Sequence, residues 1–182
     1  MQTHYVDLVP ASGIVYEVYA RLLKGVHLAN VESHGLTVDW PGWRNERGQF
    51  GQVMRVFGTE VGLERLLELA SPLLRNGLAS SASGITIVPV GVECTHTFKR
   101  CRAADKNTPS HQRRLVRRAE QRGEVYVPGS PRPTALHSLR MQSETNGQSF
   151  YMDLCRYNLG GEAEYQSAKP DSYGFGVPVP SF

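Results

Sequence analysis

The sequence predicts an α+β protein with a ferredoxin-like first half and a smaller, irregular second half that carries an arginine-rich helix. Two observations predict this architecture. Up to residue 92, segments with strand-like and helix-like spacing follow one another in the order β-α-β-β-α-β, the order of a ferredoxin-like split βαβ unit. Beyond it, one short helical pattern lies among segments rich in Pro, Ser and Thr. We therefore expect a ferredoxin-like domain over residues 1–92 and a second domain over residues 93–182.

The elements of the first half follow from the spacing of its apolar residues. Residues 4–10 alternate between apolar and polar and end at a proline, which is typical of a strand. The apolar residues between Val15 and Ala29 recur at helical spacing, and Ser12 can cap the helix that they predict over roughly 14–33. The remaining elements are strands over 36–40, 51–58 and 84–92, and a helix that is capped by Thr59 and extends over 60–70 or beyond.

The second half shows fewer regular elements. Thr108 as a cap and Pro109 in the first turn predict a helix over 109–122. The stretch VPGSPRPTA, residues 127–135, is typical of a turn or linker, and residues 149–157 predict a strand. The tail has a loop-like composition, but its aromatic residues indicate that it docks on the rest of the protein.

The positive charge of the chain is concentrated in its second half. The net charge is only +3. Residues 1–92 hold seven Lys or Arg and eight Asp or Glu, so residues 93–182 hold thirteen and nine. Nine of the basic residues lie within 99–122, together with two acidic ones. Such an asymmetry is typical of a protein with a polyanionic partner, most often a nucleic acid.

The predicted helix over 109–122 places five arginines on one face. At about 100° per residue, the arginines fall within roughly half of the helix circumference and apolar residues occupy the rest. We expect the apolar residues to face the protein and the arginines to face outward. A solvated structural face usually mixes both signs, whereas only Glu120 and Glu124 lie nearby here. Because arginine suits bidentate recognition of phosphates and guanine edges, we expect this helix to contact nucleic acid. The arginines are Arg113, Arg114, Arg117, Arg118 and Arg122, and the apolar residues are Leu115, Val116 and Ala119.

The composition argues against a membrane or secreted protein. No apolar run approaches the roughly 18 residues of a membrane span. The N-terminus lacks the charged and apolar regions of a secretory signal. The cysteines are odd in number and show no C-x-x-C spacing, which suits a reducing compartment. We therefore expect a cytoplasmic protein that does not bind a membrane.

Few residues are candidates for chemistry. Cys94, His96 and Cys101 form a C-x-H-x₄-C pattern, which lacks the paired spacing of a structural zinc site. Since the sequence also contains no HExxH, G-x-S-x-G or Walker motif, we expect no metal and no cofactor. His27 lies beside the apolar stripe of its helix, but a helical histidine taken alone is more often structural than catalytic. Ser143, in the polar stretch SETNGQSF, is by itself typical of a turn or cap.

Five features occur in an order that resembles a known family. They are the ferredoxin-like first half, a histidine near the end of the first helix, the arginine-rich helix, the turn S-x-T-x-G-Q-x-F and the tail SYGFGVPVPSF. Each motif is weak alone, but the ordered set is specific. Together they resemble the type I-F CRISPR precursor-RNA endoribonucleases over nearly the whole chain.

The resemblance implies roles for four residues around the scissile bond. His27, in KGVHLANV, matches the general base that acts on the ribose 2′-hydroxyl. Ser143 matches the serine that holds the same ribose, and Tyr173 matches the tyrosine that helps to orient the histidine. Phe150 matches the aromatic residue that stacks on the terminal base pair of the RNA stem.

The resemblance also implies which arginines bind RNA. Arg114 and Arg118 match the two most important positions of the family's helix. The family's Arg-x-Gln pair, which reads guanine and adenine edges, falls on Arg100 and Arg102, where arginine replaces glutamine. This departure indicates a different repeat sequence. The expected RNA-binding residues are Arg100, Arg102, Arg113, Arg114, Arg117, Arg118 and Phe150.

The resemblance implies a reaction and partners. The 2′-hydroxyl attacks the adjacent phosphate without a metal ion and leaves a 5′-hydroxyl and a 2′,3′-cyclic phosphate. The expected partners are the hairpin repeat of precursor CRISPR RNA, the mature CRISPR RNA and the other subunits of a type I-F effector complex. One alternative is a non-catalytic RNA- or DNA-binding assembly protein of a ribonucleoprotein. Another is a metal-dependent nuclease or zinc protein, which rests on Cys94, His96 and Cys101.

Overall fold

The computed structural model describes residues 2–44, 49–101, 109–127, 137–143, 147–160 and 169–182. Within these segments the chain forms a mixed α+β fold with three helices and nine strands. The strands are β1 (His4–Pro10), β2 (Thr37–Asp39), β3 (Met54–Gly58), β4 (Ala79–Ser81), β5 (Thr86–Ile87), β6 (Cys94–Arg100), β7 (His137–Gln142), β8 (Ser149–Asn158) and β9 (Val179–Pro180). The helices are α1 (Val15–Val31), α2 (Glu60–Arg75) and α3 (Pro109–Gln121).

The first sheet contains β1 to β5 and is antiparallel throughout. Its strand order is β2-β3-β1-β4, and β5 also pairs with β1. Leu8 lies opposite Ser81 of β4, and Tyr5 lies opposite Thr86 of β5. Because β4 and β5 line the two ends of β1 on the same side, they are two pieces of one interrupted edge strand.

The strand that the sequence predicts over 84–92 is wrong in its bounds. Only Thr86–Ile87 is a strand there, and Ala79–Ser81 forms a strand that the hydrophobic pattern did not indicate. Gly84 has a φ of +63° and Gly91 a φ of +81°. A left-handed conformation is incompatible with an extended strand, so a strand in this region can only lie between Gly84 and Gly91, where β5 is found.

The second helix follows the predicted pattern closely. The Thr59 hydroxyl accepts a hydrogen bond from the Gly62 N–H at 3.2 Å and caps α2, an interaction of about 1 kcal/mol. Leu63, Leu66 and Ala70 are buried. The acidic residues of α2 that lie on its outer side are exposed: Glu60, Glu64 and Glu68.

The first helix, Val15–Val31, lies within the predicted range of roughly 14–33, but its start is capped differently. Ile14 occupies the N-cap position without a side-chain cap, so the expected cap at Ser12 is wrong. Gly13, with a φ of +87°, turns the chain between Ser12 and the helix. At Gly25 the helix passes close to α2, because a Cβ there would lie 3.2 Å from a methyl of Leu66. α1 contacts α2, β1 and β7, so elements of both halves bury it.

The second half contains more regular structure than predicted. β6 to β9 form a second antiparallel sheet in the order β7-β8-β6-β9, so the expectation of an irregular region is wrong. The strand expected over 149–157 lies within β8, and the helix expected over 109–122 is α3. Most of the expected turn over 127–135 lies outside the described residues. The tail docks as expected, with Phe175 buried and β9 paired with β6.

A single hydrophobic core spans both sheets. Trp40, which follows β2, lies 5.1 Å from the ring of Phe98 on β6 and 5.0 Å from the ring of Phe50. Aromatic contacts at these distances add to the free energy gained from burial. The division into domains at residue 92 stays a prediction, although the core is continuous across it. None of the described helices combines the length and hydropathy that crossing a membrane requires.

Candidate functional site

His27 lies near the end of α1 and is stacked on Tyr173 of the C-terminal tail. The ring centroids are 4.5 Å apart and the ring planes differ by 17°. His27 is half-buried, and its Nδ1 is buried without a hydrogen-bond partner among the described residues. In many functional histidines a hydrogen bond at the second nitrogen sets the ring orientation. In this chain the neighbour of the imidazole is the stacked phenol.

Tyr173 is carried by a tight turn from Asp171 to Phe175. The Asp171 carboxylate accepts hydrogen bonds from the N–H groups of Tyr173 and Phe175, both at 2.9 Å. The Asp171 carbonyl accepts a further bond from the Gly174 N–H at 2.9 Å. Gly174 has a φ of +85°, and a Cβ there would lie 2.9 Å from a methyl of Val38. Glycine is therefore required for this turn to pack against β2.

Asn30 connects this turn to α1. Its Nδ2 donates to the carbonyl oxygens of Leu36 at 2.9 Å and Asp171 at 3.3 Å. Its Oδ1 accepts a hydrogen bond from the Leu36 N–H at 2.6 Å. Because Asn30 follows His27 by three residues, it lies one turn along the same helix face. One side chain thus links α1, the residue before β2 and the turn that carries Tyr173.

Arg100, the last residue of β6, lies near both Phe150 and Tyr173. Its guanidinium carbon is 5.6 Å from the Phe150 ring centroid, within cation–π distance. Burial raises the pKa of Tyr173; the charge of Arg100 opposes that rise and the charge of Asp171 adds to it. The Tyr173 hydroxyl is therefore protonated at neutral pH.

Ser143 lies in the turn between β7 and β8. Its N–H donates to the Gln148 carbonyl at 2.8 Å, which continues the hairpin beyond β7. The hairpin register places Phe150 at the same end. Residues 144–146 lie outside the described residues. In the described part of the chain, no hydrogen bond joins Ser143 to His27.

The third helix presents its arginines to solvent. Of the apolar residues expected to face the protein, Ala119 is buried, Leu115 is half-buried and Val116 is 37% exposed. The inward expectation for Val116 is therefore wrong. Gly123 lies two residues beyond the end of α3, and its φ of +70° allows the N–H groups of Gly123 and Glu124 to donate to the carbonyls of Glu120 and Ala119. The exposed arginines are Arg113, Arg114, Arg117, Arg118 and Arg122.

The exposed arginines of α3 and the residue that follows it differ in their partners. Arg122 forms an ion pair with Glu124 at 2.9 Å. Within the segments that the structure describes, Arg117 and Arg118 form no ion pair. A charged face without neutralising partners is suited to a polyanion. Arg102, the other residue expected to read bases, lies outside the described residues.

His96, the central residue of the possible zinc trio, has other partners. Its Nε2 lies 2.8 Å from the Asp39 carboxylate, and its Nδ1 lies 3.2 Å from a guanidinium nitrogen of Arg156. Cys94 is exposed, and the side chain of Cys101 contacts that of Cys155 on β8. In the described segments, no three His, Cys, Asp or Glu side chains are grouped as metal ligands would be.

Sequence reasoning missed Asn30 and Asp171. Asp171 had a usable signal, because the stretch PDSYG combines proline, an aspartate acceptor and glycine in the manner of a turn. Asn30 had none, since a polar residue in the last turn of a helix is common. Its role depends on partners that lie elsewhere in the sequence.

A family model described as CRISPR-associated protein (Cas_Csy4) matches residues 7–182. The chain belongs to this family. The resemblance inferred from its motifs is thereby confirmed. Proteins of the Cas_Csy4 family process CRISPR RNA, and endoribonuclease activity is general among them. This member is accordingly a CRISPR-associated RNA-processing protein that interacts with CRISPR RNA. No curated protein matches the chain.

Proposed function

We propose that this protein is an endoribonuclease that cleaves the hairpin repeat of precursor CRISPR RNA without a metal ion. In the reaction, the ribose 2′-hydroxyl loses its proton and its oxygen attacks the adjacent phosphorus. The bond to O5′ breaks and O5′ takes a proton, which leaves a 2′,3′-cyclic phosphate and a 5′-hydroxyl. The observation that carries the proposal is the stacked pair of His27 and Tyr173, in a chain of the Cas_Csy4 family.

His27 is the proposed general base. A histidine can accept a proton near neutral pH, which suits proton transfer from a ribose hydroxyl. Because its Nδ1 is buried, Nε2 is the nitrogen that would take the proton. Ser143 is proposed to hold the same ribose, so that the attacking oxygen is aligned with the phosphorus. Tyr173 holds the imidazole plane and does not itself exchange a proton.

The remaining proposed contacts bind and position the RNA. The exposed arginines of α3 meet phosphates and guanine edges of the hairpin. Arg100 and Arg102 read base edges next to the scissile bond, and Phe150 stacks on the terminal base pair of the stem. The 5.6 Å contact between Arg100 and Phe150 supports a shared surface for these two roles.

The fold and the setting complete the proposal. The strand order β2-β3-β1-β4, with helices after β1 and β3, supports a ferredoxin-like first half. We further propose that the protein stays bound to the cleaved CRISPR RNA in the cytoplasm, as a subunit of a type I-F effector complex.

Single-turnover cleavage of the hairpin RNA from the neighbouring repeat array, in excess EDTA, tests the proposal. We expect His27→Ala to slow cleavage by roughly 10²–10⁴-fold, the usual contribution of an acid–base group. Affinity for the RNA should be unchanged, because a neutral imidazole adds little to polyanion binding. His34→Ala is the matched control, since His34 lies beyond the same helix and contacts only the exposed Glu32 among the described ion pairs.

The other outcomes separate the alternatives. A wild-type rate for His27→Ala would remove the general-base assignment. Tight RNA binding by the wild-type protein without cleavage would support the non-catalytic assembly protein. Cleavage that EDTA stops and a divalent ion restores would support a metal-dependent nuclease. Combining Ser143→Ala with His27→Ala should cost less than the sum of the two losses, because both residues act on one hydroxyl.

A further inference from the structure

Tyr173, which stacks on His27, lies in the turn from Asp171 to Phe175, and hydrogen bonds hold this turn in place. Hydrogen bonds within the turn hold its conformation: the Asp171 carboxylate accepts from the N–H groups of Tyr173 and Phe175, both at 2.9 Å. Without this acceptor those groups would need water, and the short turn would lose its fixed conformation.

The side chain of Asn30 joins the turn to α1 by a hydrogen bond. Its Nδ2 reaches the Asp171 carbonyl at 3.3 Å while the same amide is bonded to both backbone groups of Leu36 at 2.9 and 2.6 Å. The Leu36 bonds fix the amide in place, and the Asp171 bond then fixes the turn relative to α1. Because His27 lies one turn earlier on α1, this bond joins the turn that carries Tyr173 to the helix that carries His27. Backbone hydrogen bonds from the Val38 N–H to the Gly174 carbonyl at 3.2 Å and from the Gly176 N–H to the Phe98 carbonyl at 2.9 Å hold the same segment to β2 and β6, not to α1.

The imidazole has little else to hold its plane. No described residue bonds its buried Nδ1, so the ring can rotate about its bond to Cβ unless the phenol face restrains it. A base that must meet a ribose hydroxyl loses rate when its ring leaves the productive orientation.

We propose that Asn30 and Asp171 are positioning residues of the reaction, which act by holding Tyr173 against the face of His27. This inference rests on the proposed endoribonuclease function. Neither side chain touches the RNA in this account. Removing either one releases the imidazole without removing the base.

The structural half of the proposal is tested on the free protein, without RNA. In a ¹H–¹³C spectrum of the histidine rings, the stacked phenol shifts the His27 protons upfield through its ring current. We expect Asp171→Ala and Asn30→Ala to lose this shift, as Tyr173→Leu does. Gln2→Ala is the matched control, since the Gln2 amide also donates to a tail carbonyl, that of Pro178 at 3.0 Å, away from the turn.

The kinetic half uses single-turnover cleavage by the same variants. Asp171→Ala and Asn30→Ala should slow the step by roughly 10- to 100-fold without weakening RNA binding, whereas Gln2→Ala should cleave at the wild-type rate. Asp171→Asn retains an oxygen for both N–H groups, so it should restore the upfield shift and most of the rate. This rescue also distinguishes a turn acceptor from a charge effect.

Each contrary result overturns a defined part of the inference. An upfield shift that persists in Asp171→Ala and Asn30→Ala shows that they do not position Tyr173. A lost shift with an unchanged rate removes their role in the reaction. An Asp171→Asn variant as impaired as Asp171→Ala removes the turn-acceptor account. If the wild-type protein cleaves no RNA, the proposed function fails, while the spectrum still decides the positioning.

Discussion

His27 and Tyr173 face each other ring to ring, with centroids 4.5 Å apart, although one lies on the first helix and the other in the last segment of the chain. The contact uses the face of the phenol, and burial raises the pKa of its hydroxyl. The hydroxyl is thus protonated over the range in which RNA cleavage is usually measured. What Tyr173 offers His27 is therefore an aromatic surface.

Tyr173→Phe should accordingly cleave RNA at nearly the wild-type rate, and the alkaline limb of its pH–rate profile should be unchanged. Tyr173→Leu keeps an apolar side chain but loses the flat ring, so it should be slower by roughly 10- to 100-fold. Single-turnover rates of both variants between neutral and alkaline pH are the measurement. If Tyr173→Phe lost as much cleavage rate as Tyr173→Leu, the Tyr173 hydroxyl would be needed for the reaction.

Arg118 should contribute to RNA affinity through a phosphate contact. Replacing Arg118 with alanine should reduce the slope of log K against log salt by about one. Arg122→Ala is the matched control, because Arg122 directly follows the same helix and is already paired with Glu124 at 2.9 Å. Arg122→Ala should reduce the slope of log K against log salt by less than Arg118→Ala does. Unchanged affinity for both Arg118→Ala and Arg114→Ala would mean that α3 is only a solvated face.

His96 should stabilise the fold rather than take part in cleavage. The side chains of His96 and Asp39 are 2% and 3% exposed, and they lie 2.8 Å apart. His96→Ala would leave a buried oxygen of Asp39 without this hydrogen-bond partner, which costs about 1 to 3 kcal/mol of unfolding free energy. Urea unfolding measures the loss, with His34→Ala as a control that should change stability by less than about 0.5 kcal/mol. A comparably small effect at His96 would contradict the prediction.

His137 should make stability depend on pH. Its ring lies 3.6 Å from that of Trp43, and burial lowers its pKa from 6.5, against an opposing effect of the Gln49 and Arg44 carbonyls. The unfolded chain therefore binds the proton at higher pH than the folded protein does. Stability from this group is present above about pH 6.5 and is lost as the pH falls through the folded pKa.

The His137→Phe variant tests this dependence. Unfolding free energies from urea titrations at about pH 7.5 and about pH 5 give the fall in stability on acidification. The fall should be smaller in His137→Phe than in the wild-type protein, because the variant has no imidazole to protonate there. An equal or larger fall in the variant would show that His137 is not the group responsible.

Elements with a strong local pattern could be predicted from the sequence. β1, α2 and α3 lie where apolar spacing, the Thr59 cap and Pro109 placed them. β7 was missed although His137, Leu139 and Met141 alternate inward, because its neighbour β8 comes only after a turn and the preceding stretch resembles a linker. Whether a short segment forms a strand depends on the neighbouring strand with which it pairs, and the local spacing of residues does not identify that neighbour.

The candidate site shows the same limit. His27 stood out because it lies off the apolar stripe, and Tyr173 entered through the family resemblance alone. Their stacking joins the two ends of the chain, and the fastening by Asn30 and Asp171 depends on that long-range contact. No spacing rule within a helix or a tail reports a contact between them.

Attack by the 2′-hydroxyl is the central claim, and a single atom of the substrate tests it. The measurement is single-turnover cleavage, in excess EDTA, of a hairpin RNA that carries one 2′-deoxy sugar just upstream of the scissile phosphate. The account predicts that this RNA binds with nearly unchanged affinity and is not cleaved, while the all-ribose hairpin yields 2′,3′-cyclic phosphate and 5′-hydroxyl ends. Cleavage of the deoxy-substituted hairpin at that phosphate would contradict it.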